Sequence, residues 1–210
     1  MGVLSGSVTT TSYRVGGELP DNMKERLQSL LKAYSFRPIE PTSDVKESVG
    51  WVSTHDPFDT DFLVDDVFWG EYILFTLRKD TLQVSPAVFK IYLAKRLEEI
   101  RVELGLERLN KGQKDNAKEM LEAELRRKIL PSIQLVDVAW SHTRSELWLF
   151  SGSAAVRSRF EELFTKTFKL PIVARNAYSI MENAGLDDDV LNAAAQREPS
   201  TFALAPQGGY

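Results

Sequence analysis

The run from Ile73 to Ile100, ILFTLRKDTLQVSPAVFKIYLAKRLEEI, restricts the fold of this chain more than any other segment. It opens with a nearly continuous apolar stretch, Glu71 to Arg78, of the kind that suits a strand covered on both faces or central in a sheet. Arg78-Lys79-Asp80 then reads as a charged turn. Ser85-Pro86 follows as a helix start, a hydroxyl cap ahead of a proline whose fixed φ suits the first helical position. Phe89, Leu93, Leu97, Ile100 and Leu104 recur at helical spacing and form one stripe. Gly105 and the Asn110 to Gly112 segment break that helix. A second helix, with Ala117, Leu121, Leu125 and Ile129 on one face, runs to Pro131, and the two are expected to fold back as an antiparallel hairpin.

Around this hairpin the pattern alternates. Val3 to Val15, rich in Thr, Ser and Val, reads as a first strand closed by Gly16-Gly17. Asn22 with Glu25 forms a capping-box variant ahead of a helix striped by Met23, Leu27, Leu30, Leu31 and Tyr34. Val49 to Ser53 is a short strand and His55 to Asp66 an acidic surface loop. Ile133 to Trp140 and Glu146 to Phe150 form a β-hairpin. Ser153 caps a helix with Val156, Phe160, Leu163 and Phe164 inward, and Leu170 to Ala174 is a last strand. This order implies an α+β fold: a mixed or antiparallel sheet with packed helices and the helical hairpin inserted into it. Residues 1–84 and 132–180 would form the core domain, 85–131 the hairpin, and 181–210 a short helix after Asp187-Asp188-Asp189 with a tail.

Composition narrows the chemistry. The 210 residues, 43% hydrophobic, suffice for one sizeable core. No window approaches the roughly 18 consecutive apolar residues of a membrane helix, and MGVLSGSVTT has neither a cationic leader nor an apolar signal core, so a cytoplasmic location and no membrane partner are expected. Without cysteine there is no disulfide, thiolate nucleophile or thiolate metal site. The net charge of −4 hides a polarity. Between Glu40 and Glu71 nine carboxylates face Lys46 alone, whereas between Lys90 and Lys128 eleven bases outnumber eight acids.

The basic middle supplies candidates for phosphate contacts: Arg78 and Lys79, Lys111 and Lys114 at the hairpin tip, Lys118, and the run Arg126-Arg127-Lys128. Such residues neutralise phosphates without reading sequence. The same charges also suit a hairpin that is simply solubilised by Glu/Lys pairs at helical spacing. An enzyme has less support. Asp59, Asp61, Asp65 and Asp66 with His55 offer hard oxygen ligands, but they lie between turn residues with no matching acid on a neighbouring strand. There is no nucleophile elbow or glycine-rich phosphate loop either. Trp51, Trp69, Trp140 and Trp148 sit in or beside strands and read as core rather than base-stacking platforms.

Taken in order, Gly50-Trp51-Val52, the Ile73 to Ile100 run, Lys114-Asp115, Ile129-Leu130-Pro131, the strand Glu146 to Phe150, and Leu170-Pro171-Ile172-Val173 resemble the RdgC family of recombination-associated DNA-binding proteins, across about Val3 to Val173. The resemblance implies a non-catalytic, sequence-nonspecific binder of double-stranded DNA without cofactor, which modulates recombination by occupying DNA. It also implies a homodimer. Phe89, Tyr92, Leu93 and Leu97 with Met120, Leu121 and Leu125 make stripes wider than one mutual seam, and a second copy is expected to cover the surplus. The arginine and aromatic that follow the family's Leu-Pro are here Ser132 and Ile133, so those contacts do not carry over. The family's C-terminal region, which helps close a ring, has no counterpart after Val173, so ring closure by that route is not expected. Phe202, Leu204 and Tyr210 in the tail could dock on another protein. The competing reading is a structural or interaction subunit that keeps the fold and the dimerising hairpin without binding DNA.

Overall fold

In the computed structural model, residues 9–17, 22–40, 43, 45–176, 179–181 and 184–196 are described. Seven strands form one antiparallel sheet: β1 Thr11–Val15, β2 Glu47–Val52, β3 Phe68–Trp69, β4 Tyr72–Thr81, β5 Ser132–Ser141, β6 Glu146–Leu149 and β7 Ile172–Ala174. Their order is β2-β4-β5-β6-β1-β7, with β3 paired to one end of β4. Among the described residues the helices with defined bounds are α1 Met23–Ala33, α2 Val64–Val67, α3 Pro86–Glu103, α4 Lys111–Arg126, α5 Ala154–Phe168 and α6 Asp188–Ala195. The fold is therefore α+β, and α3 and α4 form a hairpin between β4 and β5, which pair along their whole length. The tail residues Phe202, Leu204 and Tyr210, like the first eight, lie outside the described residues.

Strand alternation places Tyr13, Val15, Trp51, Ile73, Phe75, Leu77, Val136, Val138, Trp140, Leu147 and Leu149 on one face of the sheet. Leu27 and Leu31 of α1 and Val156, Phe160, Phe164 and Phe168 of α5 close over them. The centre is aromatic. Trp51 meets Phe75 edge-on at 5.0 Å, Trp140 meets Phe164 and Phe168 at 5.5 Å, and Phe164 lies 4.7 Å from Phe168. Each large side chain buried there contributes roughly 1.5–3 kcal/mol. The Trp51 indole N–H donates to Thr167 Oγ1 at 2.9 Å, which lets a polar edge sit inside the core. Trp51 and Trp140 are thus core residues, as the pattern implied; Trp69 instead lies half exposed with His55 stacked on it.

Several boundaries differ from the sequence expectation. The first strand starts at Thr11 among the described residues. Asn22 and Ser153 stand at N-cap positions but make no side-chain cap bond. The real capping box is at Asn110 and Gln113, each side chain accepting the other's backbone N–H at 2.9 Å. Arg78-Lys79-Asp80 is not a turn: the ladder with β5 continues to Thr81, so these residues belong to β4. Beside Arg78, Gly50 is obligatory, because a Cβ there would meet the Phe36 backbone at 2.4 Å where Phe36 and Tyr34 bond to Trp51.

Candidate nucleic-acid interface

The hairpin that carries most of the predicted DNA contacts is built from a short seam and a tight tip. Ala117, Leu121 and Leu125 of α4 are buried, and Leu93, Leu97 and Ile100 of α3 are half buried. Leu109 is buried at the turn, and Gly105, at φ 61°, ends α3 in the left-handed conformation that glycine adopts without strain. Arg96 bridges the helices to Glu124 at 2.6 Å, while Lys46 bonds Glu122 at 3.0 Å and Arg126 donates to the Val45 carbonyl at 3.1 Å, tying the base of α4 to the segment before β2.

The predicted cations separate into two groups. Arg78 is buried: its guanidinium donates to both Asp80 carboxylate oxygens at 2.9 and 2.8 Å and to the Pro57 carbonyl at 2.9 Å. It lies 4.2 Å from the Phe36 ring centre and 5.0 Å from that of Phe58. It cannot reach a phosphate, and the reason is its position inside β4 under the Asp56 to Phe58 loop. Lys79 pairs with Glu47 at 2.8 Å, Lys118 with Asp115 at 3.1 Å and Lys128 with Glu124 at 2.6 Å. Glu124 is held below the usual carboxylate range by the Lys128 hydrogen bond and charge, then by Arg96, so it stays ionised and keeps both cations occupied. Among the described residues Lys111, Lys114 and Arg127 are exposed without an ion pair.

Sequence reading passed over Arg108. It is exposed in the turn three residues before Lys111, so Arg108, Lys111 and Lys114 cluster at the N-terminus of α4. Its signal was the spacing itself, a base every third residue through a helix start. A groove of about 450 Å³ opens beside them, lined by Leu97, Arg101, Arg108, Leu109 and Lys114 among others. On its wall Glu98 binds Arg101 at 2.6 Å, a hydrogen bond that holds the Glu98 carboxyl below its ordinary range and raises the guanidinium. A second basic group, Arg14, Arg144 and Arg175 around a cavity of about 350 Å³, was also missed. It gathers from β1, the turn before β6 and the residue after β7, strands that only the topology brings together. Arg175 is bonded to Glu146, and Arg144 lies 3.2 Å from Glu71.

The expected dimer surface also divides. Leu121 and Leu125, named for an interface, are buried in the chain's own seam and are not surplus. Phe89, Leu93 and Leu97 are half buried, while Tyr92 and Met120 are exposed. No residue of α3 is buried, and Val88, Ile91 and Tyr92 lie open on its first turns.

The acidic loop is engaged in local structure. Asp56 accepts the Phe58 N–H at 2.9 Å and Asp59 the Asp61 N–H at 2.7 Å. Asp61 pairs with Lys32 at 2.8 Å, which holds its carboxyl below the usual range, and buried Phe62 pins the loop to the core. Among the described residues no group of three or more His, Cys, Asp or Glu side chains is placed to hold a metal ion, and no helix is long and apolar enough to cross a membrane. In comparisons with known proteins, no family model matches the chain and no curated protein matches it.

Proposed function

We propose that this chain is a non-catalytic, RdgC-like protein that binds duplex DNA without sequence preference, modulates recombination by occupying it, and self-associates through its hairpin. One observation carries the DNA reading: Arg108, Lys111 and Lys114 stand exposed at the hairpin tip, without an ion pair among the described residues, where the positive end of the sixteen-residue α4 adds to their field. Three long cationic side chains gathered around one helix start, Arg108 in the preceding turn and Lys111 and Lys114 in the first helical residues, neutralise phosphates and release counterions. None is held in the fixed geometry that a bidentate bond to a base edge requires, which fits backbone contact alone.

The test is a duplex titration at several salt concentrations. Each phosphate contact contributes about −0.9 to the slope of log affinity against log salt. Replacing Arg108, Lys111 and Lys114 together by Ala should flatten that slope and weaken all sequences alike. No detectable binding at about 50 mM salt would overturn the reading. It would promote the second one, a subunit of a larger assembly, which the unburied α3 with its exposed Val88, Ile91 and Tyr92 specifically favours.

A further inference from the structure

β5 pairs with β4 over all ten of its residues but with β6 only from Val138 to Ser141, so its first half has one open side. The Phe150 N–H donates to the Asp137 carbonyl at 3.0 Å, which shows that Asp137 points its backbone groups toward that side. In an antiparallel strand this orientation alternates, so Leu135 and Ile133 also turn their N–H and C=O outward, where no described residue meets them. Leu135 and Ile133 are 38% and 46% exposed, and Leu130, just before the strand, is 91% exposed.

The other edges of the sheet are partly engaged or short. Trp51 of β2 exchanges backbone bonds with Tyr34 and Phe36 at 3.1 and 2.9 Å, and β7 is three residues long. The open half of β5 carries no charged residue from Ser132 to Val136 and no bulge. It is an apolar sheet edge of the kind that proteins cover.

We propose that this edge pairs antiparallel with the same strand of a second copy, Ile133 of each chain opposite Leu135 of the other across a two-fold axis at Gln134. The register follows from its neighbours. Centring the axis on Ile133 would set Leu135 against Pro131, which has no N–H. Centring it on Leu135 would set Ile133 against Asp137, whose carbonyl is taken by Phe150. The Gln134 register satisfies the N–H and C=O of both residues in both copies and stacks Ile133 on Leu135 twice over, on one face. It also carries the Arg127 end of each chain toward the Asp137 end of the other. Such self-complementarity selects a second copy over an unrelated strand. The pairing is independent of DNA and of the hairpin seam.

Hydrogen exchange resolved to single amides, on the full chain over a hundredfold range of concentration, tests it beside sedimentation. The Ile133 and Leu135 amides should become protected in step with dimer mass. Leu135→Pro removes an outward N–H while leaving the β4 ladder whole, so it should abolish protection at Ile133 with exchange at Phe75 and Leu77 unchanged; Ile133→Lys should do the same at Leu135 should proline disturb the strand. Exchange at Ile133 and Leu135 as fast as open amides at every concentration would overturn the proposal. So would protection that persists in a monomer, which would place a segment of the same chain there, or protection that survives both variants. Mass alone is not decisive, since the hairpin can also associate.

Discussion

Arg78 shows how a single position changes meaning once its neighbours are known. In the sequence it ends an apolar run and looks available to a phosphate; in the fold it is 6% exposed, bonded twice to Asp80 and lying against Phe36 and Phe58. Removing one member of a buried pair leaves the other charge uncompensated, so Arg78→Ala should lower stability by about 3–5 kcal/mol. Replacing Arg78 and Asp80 together by apolar residues should cost clearly less than that single change, as measured by denaturant unfolding. Lys at this position would keep the charge and lose the fork that binds both carboxylate oxygens. Tyr13 is the other buried ionisable group with a clear consequence. Its hydroxyl donates to Glu161 at 2.9 Å, and burial, followed by that bond and charge, raises its pKa well above the ordinary tyrosine value. The folded chain therefore keeps a proton that the unfolded chain releases near pH 10. Stability from this site is complete below about pH 10 and is lost as pH climbs beyond it. Between about pH 9 and 11 Tyr13→Phe should lose less stability than the parent protein; equal slopes in denaturant titrations would contradict the assignment.

At the scale of elements, periodicity located the helices and most strands, because burying one face forces apolar residues onto a repeat of 3.6 or 2. The stripes of α1, α4 and α5 are the faces that close the core and the seam. Caps were harder to read, since a Ser or Asn at the right position bonds the helix only when its loop presents it correctly. Asn110 and Gln113 cap each other, whereas Ser85 and Ser153 make no side-chain cap bond. Asn110→Ala should therefore cost about 1 kcal/mol, and Ser153→Ala only a few tenths. Unfolding followed by helical circular dichroism distinguishes the two, and equal losses would mean that the capping box adds nothing. The helical spacing gives α3 one apolar stripe, yet apolar residues surround it: half-buried Leu93 and Leu97 lie toward the seam, Val88 and Ile91 outside it. A periodic stripe tells which residues can be buried; it does not tell whether anything is there to bury the rest.

For the whole molecule, sequence by itself determined the α+β class, the inserted hairpin and an aromatic core. Each of these follows from local patterns of burial and turn chemistry that act within a few residues. It also placed the positive charge in the hairpin. What only the tertiary structure decided is which charges and which edges remain open. Lys79 meets Glu47 across a ladder, Arg96 meets Glu124 across the seam, and Arg78 disappears beneath a loop whose Pro57 lies 21 residues upstream; among the hairpin's described cations Arg108, Lys111, Lys114 and Arg127 stay exposed without an ion pair. The open half of β5 exists because β6 is only four residues long and α5 begins soon after it. The physical reason is range. Hydrophobic periodicity is a property of neighbours in the chain, whereas an ion pair or an unpaired strand edge depends on what distant segments bring within about 4 Å, and that is known only when the chain has folded.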